Sequence, residues 1–350
     1  MVWRAMATQV RYVSVVPPRQ ARGLVAEVYA RLERDFGLLA PPVILHSPAP
    51  PVLAATWLMF RETMLAGGME RRAVREAVAV AVSQGNACPY CVDVHSTLLY
   101  GLVSGADVAA LAEGQVPVIT DSEVRSAAEW AKASRFRDTA VGWPPTIPDH
   151  HAPELRGVLL TFQYLNRMVN VFLRPSPFPS GMANGTRRRL QSLVGRFLAG
   201  RLARSGEPGA SLDLLAPAVL PPDLTWAADF PALAAALARA SAAIEAAGRR
   251  SVPEPVRDMV LAALAKWDGR PPGISRSWVA DAVAVLPSRF RPAGRLALLA
   301  AFASYQVEPS VVAEFREHCP DDAGLVELVS WASLTAARQV AGWPGPGPDG

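Results

Sequence analysis

The sequence predicts an all-α protein of two tandem helical domains, the second a degenerate copy of the first. Three observations carry this. Apolar residues recur at helical spacing almost everywhere, and no convincing strand-type alternation interrupts them. A length of 350 residues suits two domains of about 150 each. With 51% of residues hydrophobic and only 19% charged, the chain can fill two sizeable cores and is not of disordered composition.

Taken in order, the periodic stretches are 22–36, 49–66, 71–84, 89–103, 106–112, 122–135 and 153–172. A second set follows at 187–204, 231–247, 254–267, 275–285, 291–304, 309–317 and 322–341, with Pro and Gly separating the stretches throughout. A Gly/Pro/Ser-rich connector places the linker at 206–225, between a domain of residues 1–205 and one of 226–343. The tail 344–350, rich in Pro and Gly, is expected to be disordered. Duplication shows in Pro51-Val-Leu-Ala-Ala against Pro231-Ala-Leu-Ala-Ala, and in Ala73-Val-Arg-Glu76 against Pro255-Val-Arg-Asp258. Glu154-Leu-Arg-Gly-Val-Leu-Leu and Gly324-Leu-Val-Glu-Leu-Val head matching long helices.

The net charge of +4 is small and almost entirely arginine, since Lys132 and Lys266 are the only lysines. The densest basic cluster, Arg187-Arg188-Arg189, reads as a solvated helix start, and no aromatic-interleaved basic patch accompanies it. Nucleic acid is therefore not an expected partner. The N-terminus shows no signal-peptide pattern, and no uncharged apolar run reaches the ~18 residues a membrane span needs. Three cysteines, two of them three apart, are too few for a secreted disulfide scaffold. A cytoplasmic location is expected.

The chemistry-bearing segment runs from Arg75-Glu76 to Asn86-Ala-Cys88-Pro-Tyr90-Cys91-Val-Asp93-Val-His95. Gly85-Asn86 is read as ending one helix, with Asn86 capping the next and Pro89 in its first turn. Both thiols then sit at a helix N-terminus, whose free N–H groups and dipole favour a thiolate. Spacing puts Cys88, Cys91 and His95 on one face. If the two helices fold back on each other, Glu76 and His95 come level, since each is nine or ten residues from the break. A carboxylate beside an imidazole beside a thiol is the outline of a proton relay. Metal binding by the Cys2His set with Glu76 is the second reading, though three ligands on one helix face make a cramped tetrahedron. Inert buried thiols are the third.

The full pattern, Glu-x11-Cys-x-x-Cys-x-x-x-His, resembles the alkylhydroperoxidase D family, part of the carboxymuconolactone decarboxylase-like superfamily. The words around Pro41-Pro-Val-Ile-Leu-His46 and Tyr164-Leu-Asn-Arg167-Met-Val-Asn170 also look like that group, so the resemblance covers roughly residues 15–180. It implies an all-α bundle that reduces hydroperoxides with a dithiol and needs no organic cofactor and no metal. It further implies that Cys91 attacks the peroxide, that Cys88 resolves the sulfenic acid as a disulfide, and that Glu76 and His95 relay protons. A thiol partner, lipoylated or thioredoxin-like, would supply electrons, and the chain would assemble as a homo-oligomer unless the duplication replaces a dimer. Tyr90 stands where some members carry histidine, which leaves that part of the relay unassigned. Counting from Asp258 by the spacing of the first half lands on Arg270, Gly273 and Ser277, so the second copy lacks the motif.

Two alternatives belong to other classes. The wider superfamily contains lactone-processing decarboxylases, but these do without the cysteine pair. A non-enzymatic redox-sensing module would report disulfide state without multiple turnover. Among the remaining residues, Cys319 is read as structural, His46 as a loop histidine that lines the pocket or is simply packed or solvated, and His150-His151 as exposed. Asn166 and Arg167 are read either as substrate contacts or as helix-to-helix contacts.

Overall fold

In the computed structural model, which describes residues 6–139, 142–144, 146–178, 181–182, 184–202 and 206–343, the chain is all-α. No strand occurs among the described residues, only the isolated bridges Val10–Leu173 and Ala66–Gly206. The first set of helices is α1 (Gly23–Phe36), α2 (Pro41–Ile44), α3 (Pro50–Phe60), α4 (Arg72–Gly85), α5 (Pro89–Leu99), α6 (Gly105–Ala112), α7 (Ser122–Ala133) and α8 (Ala152–Phe172). After α9 (Asn184–Leu202) come α10 (Pro231–Ser251), α11 (Glu254–Ala265), α12 (Ser277–Val283), α13 (Arg291–Phe302), α14 (Pro309–Arg316) and α15 (Asp322–Ala341).

Proline starts many of these helices because its missing N–H would be unpaired there anyway; Pro50, Pro89, Pro231 and Pro309 all stand in a first turn. Asp121 and Asp321 cap α7 and α15, each accepting from the backbone N–H three residues on. The periodic stretch at 49–66 is α-helical only to Phe60, after which Arg61–Leu65 widens into a π turn. The short helix α2 was not anticipated; its four residues begin with two prolines and carry too little periodicity to be read. The expected disordered tail, 344–350, lies outside the described residues.

Position in the core decides which helices are apolar all round. Every residue of α3 from Val52 to Phe60 is buried, as is most of α8 from Leu155 to Phe172. The reason is that α3 packs against α10 on one side and α1 on the other, while α8 lies between α4 and α15. Helices of the two halves thus face each other, and their buried side chains form one continuous hydrophobic cluster. Within the second half, α10 and α15 meet at Gly248, where any Cβ would fall 2.2 Å from the Trp331 ring; only glycine lets the two helices approach that closely. Residues 206–225, expected as the linker, carry the 3-10 turn Leu212–Leu214 and the start of a second, Pro222–Ala227, and bury Leu214 and Leu224 against the bundle. Among the described residues no helix is long and apolar enough to cross a membrane.

Candidate active site

Helices α4 and α5 form an antiparallel hairpin packed against α8. Its turn is built differently from the sequence reading. Cys88 N–H donates to the Ser83 carbonyl at 2.9 Å and Ala87 N–H to that of Gln84 at 3.1 Å, the paired bonds of a Schellman motif. The left-handed residue this motif requires is Ala87, at φ 49°. Asn86 does not cap α5; it closes α4, and Cys88 is the residue preceding the first turn of α5. The Asn86 side chain instead donates to Asn166 Oδ1 at 3.0 Å, and Asn166 Nδ2 donates to Ser83 Oγ at 3.0 Å. Asn170 completes the brace by donating to the Asn86 carbonyl at 2.9 Å. The cysteine turn is therefore tied by amides to α8.

The hairpin brings Glu76 and His95 into contact, with Glu76 Oε2 and His95 Nδ1 2.6 Å apart. In the tautomer that donates from Nδ1–H to Glu76, Nε2 is the ring's remaining acceptor. The other carboxylate oxygen, Oε1, accepts from Arg72 Nε at 2.7 Å. Glu76 is fully buried; burial works to raise its pKa, but the charges of Arg72 and His95 and their hydrogen bonds hold it below the ordinary carboxylate value. Arg72 is in turn anchored on the Met64 carbonyl. Sequence reading missed Arg72, although its i,i+4 spacing from Glu76 is a visible signal.

Cys88 and Cys91 are both free thiols, 1% and 3% exposed, and within hydrogen-bonding contact of each other. Burial pushes the Cys88 thiol well above its ordinary value, and the neighbouring Cys91 sulfur adds to this. The Cys91 N–H and the Asn166 amide oppose the rise without cancelling it. This corrects the expectation that the helix N-terminus lowers the pKa of both thiols: for Cys88, desolvation outweighs the helix end.

Cys91 and His95 line an apolar cavity of about 290 Å³, whereas Cys88 and Glu76 stand behind its wall. Phe36, Phe60, Phe162 and Leu165 supply its greasy surface, and the Phe162 ring meets His95 edge-on at 4.5 Å. Tyr90 lines it too, donating its hydroxyl to Gln9 Oε1 at 2.7 Å, so the N-terminal segment borders the site. Among the described residues no three His, Cys, Asp or Glu side chains gather as a metal-holding group.

Other sequence candidates fall elsewhere. His46 is fully buried, with Nδ1 bonded to the Val43 carbonyl and Nε2 to the Tyr164 hydroxyl at 2.9 Å, and burial drops its pKa to about 3. Arg167 spans between helices, donating to the Ala301 carbonyl of α13 at 2.9 Å and to Gln163. His151 is half-buried against Glu70 at 3.1 Å rather than exposed. Cys319 is half-buried near the start of α15. Arg187 and Arg188 pair with Asp93 and Glu113. In the second half, Asp258, Arg270, Gly273 and Ser277 are all exposed.

Residues 51–133, from α3 to the end of α7, match the carboxymuconolactone decarboxylase family, and that stretch holds all four site residues. An alkyl hydroperoxide reductase of Mycobacterium tuberculosis is 36% identical over 342 residues, covering 97% of this chain and 96% of that protein. The chain belongs to the carboxymuconolactone decarboxylase family.

Proposed function

We propose that the chain is a thiol-dependent hydroperoxide reductase whose peroxide-attacking group is Cys91. One observation carries this reading: Cys91 and His95 open onto the same apolar cavity, while Cys88 lies in contact with Cys91 but outside it. A substrate in the cavity meets one sulfur and one imidazole. An apolar wall favours an organic hydroperoxide over hydrogen peroxide, since burying the alkyl group is what such a wall rewards. The relative's name, alkyl hydroperoxide reductase, agrees with that class.

The steps follow from the placement. His95, oriented by Glu76, takes the Cys91 proton, and the thiolate attacks the terminal peroxide oxygen, breaking the O–O bond. The departing alkoxide takes a proton from the imidazolium and leaves as alcohol; Cys91 becomes a sulfenic acid. Cys88 then attacks the Cys91 sulfur, expelling water and forming the Cys88–Cys91 disulfide. A dithiol partner restores both thiols, so ROOH and two thiols become ROH, water and one disulfide. The raised pKa of Cys88 suits the resolving role, since it stays protonated until its partner has reacted.

The test is intact mass after denaturing thiol alkylation, on reduced protein given one equivalent of cumene hydroperoxide. The expected result is loss of two labelling sites, mapped to Cys88 and Cys91, and full labelling in Cys91→Ser. Labelling of all three thiols in the unsubstituted protein would overturn the reading. Multiple turnover with cumene hydroperoxide and a dithiol separates an enzyme from a sensor.

A further inference from the structure

A second cavity, of about 530 Å³, lies away from the cysteines, between the π turn with the start of α4 and the start of α10. Its volume falls within the ~300–1,000 Å³ usual for small-molecule sites. Arg75 lines it and is only 6% exposed; the charges of Glu154, Glu76 and Glu70 reach it, yet none of these carboxylates forms a direct ion pair with it. Nη1 donates to the Ala66 carbonyl at 3.1 Å, Nε has no partner, and among the described residues no carboxylate comes within ion-pair distance. A buried guanidinium in that state is costly unless something else completes it.

The cavity is also walled by Phe230 and by Pro231, Ala232 and Leu233 of the first turn of the 21-residue helix α10. The residue before that turn, Phe230, gives no side-chain cap. The first N–H groups of a helix have no partner within it and attract anions. Glu62 and Glu154 also line the cavity, but both are already engaged. Glu62 pairs with Arg61 at 2.6 Å and accepts from Gly209 N–H at 2.9 Å. Glu154 accepts from the backbone N–H groups of Met69 and Glu70 at 2.7 and 3.2 Å.

We propose that this cavity binds a small monocarboxylate with an apolar body, its carboxylate between Arg75 and the first turn of α10. The apolar lining from Ala66, Met69, Phe230 and Leu233 takes the body of the ligand. Two nearby glutamates disfavour a doubly charged phosphate, which is why one negative charge is specified. The site lies apart from the cysteine cavity and gives the motif-less second half a binding role, because α10 supplies one wall. Arg75 adjoins Glu76 on α4, so occupancy is placed to be felt at the relay.

Calorimetric titration of the full-length protein with benzoate tests this, with benzamide as the uncharged match. Expected are saturable benzoate binding, weaker binding of benzamide, and weakening of benzoate by about tenfold or more in Arg75→Met. Ala232→Phe, which fills the cavity from α10 and leaves the arginine in place, is expected to weaken benzoate similarly and decides alone if Arg75→Met does not fold. Absence of saturable benzoate binding, or equal affinity in a folded variant, overturns the proposal; the latter would put the anion elsewhere, the cysteine cavity included.

Discussion

Glu76 is a buried carboxylate with a nitrogen donor on each oxygen, and that arrangement separates two tasks. Oε2 orients the His95 ring, so that Nε2 is the acceptor left for a thiol proton. Oε1 is held by Arg72, which keeps the carboxylate charged against its burial. A carboxylate whose folded pKa is lowered contributes stability above its unfolded value and loses it as pH falls through the folded value. The same sign applies to the relay, which is lost on the acid side when Glu76 protonates. Arg72→Met removes the larger lowering influence, so the Glu76 pKa rises and the acid limb of kcat/KM moves to higher pH. Glu76→Gln, still able to accept from His95 but uncharged, is expected to lower kcat/KM for cumene hydroperoxide by about 10²-fold, the low end for general acid–base catalysis. Arg72→Met is expected to lose less at neutral pH. An unmoved acid limb in that variant would show that Glu76 does not set it.

At the scale of elements, the α4–α5 hairpin shows what the sequence makes legible and where legibility stops. Both helices, and the approach of Glu76 to His95, follow from apolar period and rise per residue. The turn does not. Gly85 and Asn86 look like the break, yet the left-handed position falls on Ala87, a residue with no compositional signal for that conformation. Asn86 is drawn from capping by a tertiary partner, Asn166, which no local pattern could show. The cavity is illegible for the same reason, since Phe36, Phe60 and Phe162 come from three separate helices. An L-residue in the left-handed region costs roughly 1–2 kcal/mol, part of which glycine forfeits through its greater freedom when unfolded. Ala87→Gly is therefore expected to stabilise by up to about 1 kcal/mol, and Ala87→Val, branched at Cβ, to destabilise by at least as much. Thermal or urea unfolding of the two variants reads the difference, and equal midpoints would remove the strain argument.

On the scale of the whole molecule, the two halves inferred from sequence meet through the helices that the repeat would pair. The Pro51 and Pro231 words open α3 and α10, which pack together; the Glu154 and Gly324 words lie in α8 and α15, which also pack together. Such reciprocal contacts are what a duplicated dimer-like unit would make. The contacts across are buried and specific: Trp57 Nε1 donates to Ser211 Oγ, Tyr164 reaches Ser330, and Arg167 reaches the Ala301 carbonyl. Each large apolar side chain returned to water costs about 1.5–3 kcal/mol, and whole domains are stable by only about 5–15 kcal/mol. Exposing the α10-facing side of α3 and the α15-facing side of α8 together exceeds that margin. Residues 1–205 expressed alone are therefore expected to keep helical far-UV signal, lose near-UV tryptophan signal and bind a hydrophobic dye, without a cooperative thermal transition. A sharp transition with native near-UV signal would show that the first half carries a self-sufficient core, and that the second is an addition to it rather than half of it.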